Sequence, residues 1–182
     1  MLNMKSKFFP KYTAIISGSI TALICLIMNI ILIPRIEMNT QGIRCFDMNF
    51  PGNYENALKF LDLIGDEGRN IYLFRQIPLD FIYPVFYTVL FISLIYILTK
   101  GKARKILSVF PLILAVCDYA ENIMSISMLR SGIPSESFYA AASAFTAVKT
   151  VIMYLIFAAI LVLLIMYIVN RFSKRKKGEN EI

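Results

Sequence analysis

The sequence predicts an all-α polytopic membrane protein, a four-transmembrane-helix bundle with a short helical extracellular cap. Three observations carry that prediction. Of 182 residues, 58% are apolar and 17% charged, against about 45–50% and about 25% in an average soluble domain. Four stretches, at about 13–33, 78–98, 106–129 and 145–169, each supply the roughly 20 apolar residues with which a helix crosses about 30 Å of hydrocarbon. Lys and Arg gather in the segments that would lie between and beyond these stretches on one side, the pattern that orients membrane helices. No polar segment is long enough to form a second domain, so residues 1–182 read as a single membrane domain.

The first span follows Lys5, Lys7 and Lys11. Its apolar run exceeds the h-region of a signal peptide and no A-x-A site follows, so a retained anchor helix is expected. Ser17, Gly18, Ser19, Thr21 and Ala22 give it a small-residue face, with Gly18 and Ala22 four apart. Such a face lets helix backbones approach closely in lipid. Ordinary packing within the bundle is the expected use, and a homo-oligomer or a membrane partner at that face is the alternative.

Twelve of the 19 basic residues fall in three places: Lys5, Lys7 and Lys11 in the N-terminal tail; Lys100, Lys102, Arg104 and Lys105 in the second connection; and Arg171, Lys174, Arg175, Lys176 and Lys177 in the C-terminal tail. The first connection offsets its basic residues with Glu37, Asp47, Glu55, Asp62, Asp66 and Glu67. Both termini are therefore expected to be cytoplasmic, in a cell membrane. The basic tail, 170–182, reads as a stop-transfer flank that also meets anionic lipid, and its last ten or so residues read as loosely ordered. A net charge of +7 thus has a topological cause, and no nucleic-acid partner is expected.

The loop at about 34–77 is too long for a plain link and should hold structure of its own. Asn53 is placed to cap a helix in which Tyr54, Ala57, Leu58, Leu61 and Ile64 recur at helical spacing. Gly65 should stop it. Asp66 should cap a second helix, running from Glu67 to Gln76 and leading into Pro78. The apolar faces of this lid-like hairpin must be buried, either against the mouth of the bundle or at the lipid interface.

The candidate site lies in the outer half of the spans. Each charge inside a span costs about 2.5–3.5 kcal/mol on the lenient scale, so intramembrane ionisable residues are functional candidates by default. Asp118 and Glu121 lie about 18 and 22 Å into the third span. With Asn122 and Ser125 they follow i, i+3, i+4, i+7 spacing and make one polar stripe, which must face the bundle interior. Asp80 opens the second span, with Tyr83 and Tyr87 one and two turns below. Pro84 deprives the Asp80 carbonyl of its helical donor. Asn29 from the first span and Lys149 from the fourth are placed at the same depth. The proposed ligand-binding set is Asp80, Tyr83, Asp118, Glu121, Asn122 and Lys149. Asp118 and Glu121, one turn apart and poorly solvated, are expected to share a proton at neutral pH.

His and Trp are absent. Without His there is no Ser-His or Cys-His couple and no imidazole-bound metal. Cys25, Cys45 and Cys117 stand apart with no CxxC pair, so neither a disulfide nor a thiolate metal site is expected, and no cofactor is implied. What remains is binding, with or without transport, of a small cationic or amphipathic solute, lipid-like ligands included, at the carboxylate cluster. The alternatives are a lipid-modifying enzyme using paired carboxylates and a non-catalytic structural or accessory subunit in which the cluster only locks the helices.

DYAEN at 118–122, PGNY at 51–54, IGDEGR at 64–69 and PLDFIYP at 78–84 resemble a pattern in uncharacterised bacterial four-helix membrane proteins. The resemblance covers most of the chain and implies the four-span fold; it brings no activity and no site residue. The layout, four spans with a long first outer loop and acids near its mouth, is similar to that of the EXPERA group of sterol isomerases and sigma-2-type receptors. That second likeness is one of layout only.

Overall fold

A computed structural model describes residues 5–46 and 53–179, and among these no residue is in a strand. Asp47 and the Pro51–Gly52 pair of the PGNY segment lie outside the described residues, as do residues 180–182 at the end of the basic tail. Four helices are long and apolar enough to cross a membrane: Pro10–Asn39, Gly65–Leu98, Gly101–Ser131 and Glu136–Arg171.

The first begins as α1 (Lys5–Ile27), widens into a π turn at Met28–Leu32 and continues as α2 (Ile33–Asn39). The sequence places the end of this span at residue 33, before Pro34, but the helix runs past the proline. The π turn is the reason. Ile33 donates its N–H to the Met28 carbonyl, five residues back, and Pro34 then falls in the first turn of α2, where a missing N–H costs nothing. The second span repeats the device. Here α4 (Gly65–Ile71), a π turn at Tyr72–Gln76 and α5 (Ile77–Leu98) form one continuous rod, with Ile77 N–H on the Tyr72 carbonyl and Pro78 just beyond. The two π turns pack against each other.

In the cap, α3 (Tyr54–Leu63) starts where expected, with Asn53 Oδ1 accepting the Glu55 N–H at 2.9 Å. Asp66 does not cap the next helix: α4 begins at Gly65 without a side-chain cap. Gly65, at φ +58°, turns the chain from one helix straight into the next, a conformation that suits glycine. Ala57, Phe60 and Leu61 of α3, with Ile64 just after it, enter the same core as Met128, Leu129, Tyr139 and Ala142, so the lid's apolar face is buried on the mouth of the bundle. Arg69 fastens it, donating to the carbonyls of Leu129 and Leu61.

The remaining elements are α6 (Gly101–Leu107), α7 (Val109–Ser131) and α8 (Glu136–Glu179). α8 starts at Glu136 rather than near 145, and its entry is capped by Ser135 Oγ, which accepts the Phe138 N–H at 3.3 Å. Its backbone stays helical to Glu179, where loose order was expected; the Lys- and Arg-rich end is composed of good helix formers. With 44 residues it is about 66 Å long.

α5 is the hub, packing against α1, α7 and α8, while α7 also packs against α8. Gly18 lets α1 lie close on α5: a Cβ there would stand 3.3 Å from Leu90 Cδ1. The small-residue face is divided, since Ser17 is buried toward the bundle and Ser19 and Ala22 are exposed. Large apolar side chains such as Leu26, Ile30, Val85, Val116 and Leu161 are exposed around the helices. A soluble monomer rarely carries so much apolar surface, and lipid is the solvent that suits it.

Candidate functional site

The polar stripe of α7 faces inward as its spacing predicts: Asp118, Glu121, Asn122 and Ser125 are all buried, Glu121 at 2% exposure. α8 supplies its partners. Lys149 Nζ lies 3.1 Å from Asp118 Oδ1 and also pairs with Glu121 Oε2. One helical turn before it, Thr146 donates its hydroxyl to Glu121 Oε1. From α5, the Tyr87 hydroxyl donates to Asp118 Oδ2 at 3.0 Å. Both carboxylates thus receive the same ammonium and one hydroxyl each, across three helices. The two acids expected to share a proton face a single ammonium, that of Lys149.

Asp80 is held at the top of α5. Gln76 Nε2 donates to Asp80 Oδ2 at 3.0 Å, and Asn122 Nδ2 donates to the Asp80 main-chain carbonyl at 3.1 Å. That carbonyl is the one orphaned by Pro84, so α7 supplies the donor that α5 lacks. The Tyr119 hydroxyl donates to the next carbonyl, that of Phe81, at 3.2 Å. A proline inside a span is tolerated when a neighbouring helix satisfies the freed backbone group.

One placement needs correction, that of Asn29. Tyr83 packs both on Ile24, Met28 and Ile33 of the first helix and on the cluster of Tyr87, Leu114 and Ile156, with its ring 5.2 Å from that of Tyr87. Asn29, in the π turn, is exposed and bonds back to the Cys25 carbonyl at 2.9 Å, because its side of the first helix points away from the bundle. Thr146 and Gln76 are the partners that the sequence reading misses. Both were detectable in principle, Thr146 three residues before Lys149 and Gln76 four before Asp80, each on the face of the residue it supports.

The void against Glu121, Ser125 and Thr146 measures about 10 Å³, room for about one water molecule. Gln76 Oε1 is buried without a hydrogen-bond partner. Among the described residues no group of His, Cys, Asp and Glu is arranged to hold a metal ion. Chemically, the cluster sets two carboxylates against one ammonium in a water-poor place, with a third buried carboxylate, Asp80, on the neighbouring helix that Asn122 joins to α7. No family model, curated protein or solved structure matches the chain.

Proposed function

We propose that this chain is a multi-pass cell-membrane protein, with both termini cytoplasmic, that binds a small cationic solute at the cluster of Asp118, Glu121 and Lys149. Asp80, Tyr83 and Asn122 form its upper wall. The observation that carries the reading is the charge count around one half-buried ammonium: two carboxylates bond directly to Lys149, so with both ionised the triad is one charge short of neutral. An entering cation replaces Lys149 as the partner of one carboxylate, and the 10 Å³ void admits a species no larger than water or ammonium. Amphipathic ligands, also expected from the sequence, need the helices to part. The basic residues at both ends and in the second connection support the orientation.

Ammonium and alkali chlorides are the probes, with thermal unfolding in detergent as the readout. The wild type is expected to show a cation-dependent rise in unfolding temperature that Asp118→Asn and Glu121→Gln abolish while remaining folded. A wild type indifferent to every cation overturns the reading. A second reading, a lock between helices without a ligand, is favoured by the fact that all four oxygens of the pair have a partner. It predicts loss of folding in both variants and no cation effect. For orientation, single cysteines introduced at Lys102 and Ser173 should label only from the cytoplasmic side, and one at Glu55 only from outside.

A further inference from the structure

At the cap end α2 and α4 lie side by side, so close that a Cβ on Gly68 would meet Asn39 Cβ at 3.2 Å. Beside that contact they leave an open cleft of about 570 Å³. Arg35 lines one wall, and Asp66, Glu67, Asn70 and Arg75 line the other. All four charged side chains are exposed. Among the described residues none of the four is in an ion pair, since the salt bridges there are those of Lys149. Opposite charges that share a cleft without meeting leave both signs available to a ligand.

The charges are ordered along the cleft. α2 leads away from the apolar part of the first helix, and α4 leads back toward that of the second. Arg35 follows just after Ile33, and Arg75 comes just before Pro78, so both guanidinium groups stand at the edge of the apolar region, the level of lipid headgroups. Asp66 and Glu67 lie more than two turns farther out, about 12 Å along the helix axis. The cleft is positive near the hydrocarbon and negative away from it. A zwitterionic phospholipid has the matching polarity, with its phosphate at the glycerol and its amine beyond.

We infer that this cleft binds the headgroup of a phospholipid carrying a primary amine, phosphate on Arg35 and Arg75, ammonium on Asp66 and Glu67. Guanidinium groups suit phosphate oxygens because their paired N–H donors match the oxygen spacing. The amine is a primary one because the outer wall offers hydrogen-bond acceptors, the carboxylates and the Asn70 carbonyl, which an ammonium with N–H groups uses and a quaternary one cannot. Quaternary ammonium is recognised by aromatic cages, and no aromatic residue lines the cleft. Met38 and Ile71 give the headgroup's carbon atoms an apolar contact. The inference does not depend on the carboxylate cluster, which lies deeper between the helices.

The test is lipid retention by the full chain. Protein in micelles doped equally with phosphatidylethanolamine, phosphatidylcholine and phosphatidylglycerol is analysed by native mass spectrometry. Phosphatidylethanolamine is expected to be retained over phosphatidylcholine by about fivefold, the worth of a good exposed charge contact. The double variant Arg35→Gln, Arg75→Gln should lose retention of all three lipids. Asp66→Asn with Glu67→Gln should erase the preference for the primary amine while keeping phosphatidylglycerol. These exposed side chains make no ion pairs, so the unfolding temperature should stay at the wild-type value in every variant. Equal retention of the ethanolamine and choline lipids, or variants that behave as wild type, overturns the inference. Binding of soluble glycerophosphoethanolamine with no retention of the lipid assigns the cleft to a free zwitterion instead and also overturns it.

Discussion

Lys149 sets the balance of the buried cluster, because it faces both Asp118 and Glu121. Removing a buried partner leaves uncompensated charge, which is costlier than the pair itself is stabilising. Lys149→Met is therefore expected to destabilise by about 3–5 kcal/mol, and adding Glu121→Gln should restore part of the loss; unfolding temperatures in detergent report both. Asn122 acts on one carbonyl only. Asn122→Leu should cost about 1 kcal/mol, within the range for side-chain hydrogen bonds between membrane helices, and restoring a donor with Pro84→Ala should reduce that cost. At this scale much was legible. The spacing of Asp118, Glu121, Asn122 and Ser125 defines one face, and apolar surroundings require that face to turn inward. The partner of each group was less legible, since depth along a helix does not report azimuth: Asn29 sits at a suitable depth and points outward.

At the scale of elements, Gly68 decides whether the cap seats. A Cβ there meets Ile64 Cγ1 at 2.6 Å and Asn39 Cβ at 3.2 Å, and the Asn39 atom is fixed to its backbone. Gly68→Val should push α4 from α2 and cost about 1–3 kcal/mol, as overpacking does. Limited proteolysis within 53–71 should quicken accordingly. The four spans were legible from apolar runs and the start of α3 from Asn53, whereas the helices run on beyond the apolar stretches, to Asn39 in the first and from Glu136 to Glu179 in the last. The joins were not. Pro34 and Pro78 read as boundaries because a proline interrupts an α-helix, whereas a preceding turn with five-residue bonding lets the helix continue.

For the whole molecule, the arrangement around α5 implies two kinds of attachment. α7 is tied to α5 and to α8 through the buried polar network, while α1 packs along α5 through small residues and the apolar contacts of Ile24 and Met28. Gly18→Leu should therefore loosen α1 alone. Maleimide labelling checks this with native cysteines: Cys25 on α1 should react faster, and Cys117, buried on α7, should stay protected. The four-helix class was legible because composition and run length alone decide it. The choice of hub was not, because all four spans are apolar over most of their circumference and periodicity ranks none of them as central.

The paired Ile-Pro segments have a further consequence for tolerance to changes in chain length. Elsewhere in these helices, losing one residue rotates everything downstream by about 100° and turns buried side chains toward lipid. Within 72–76 the backbone already holds one residue more than an α turn needs. Excising Phe74, which is 67% exposed, would convert the widened turn to an ordinary one with the azimuth of Asp80 and Tyr87 kept nearly in phase, so the rod can shorten there and still present the same side chains to its neighbours.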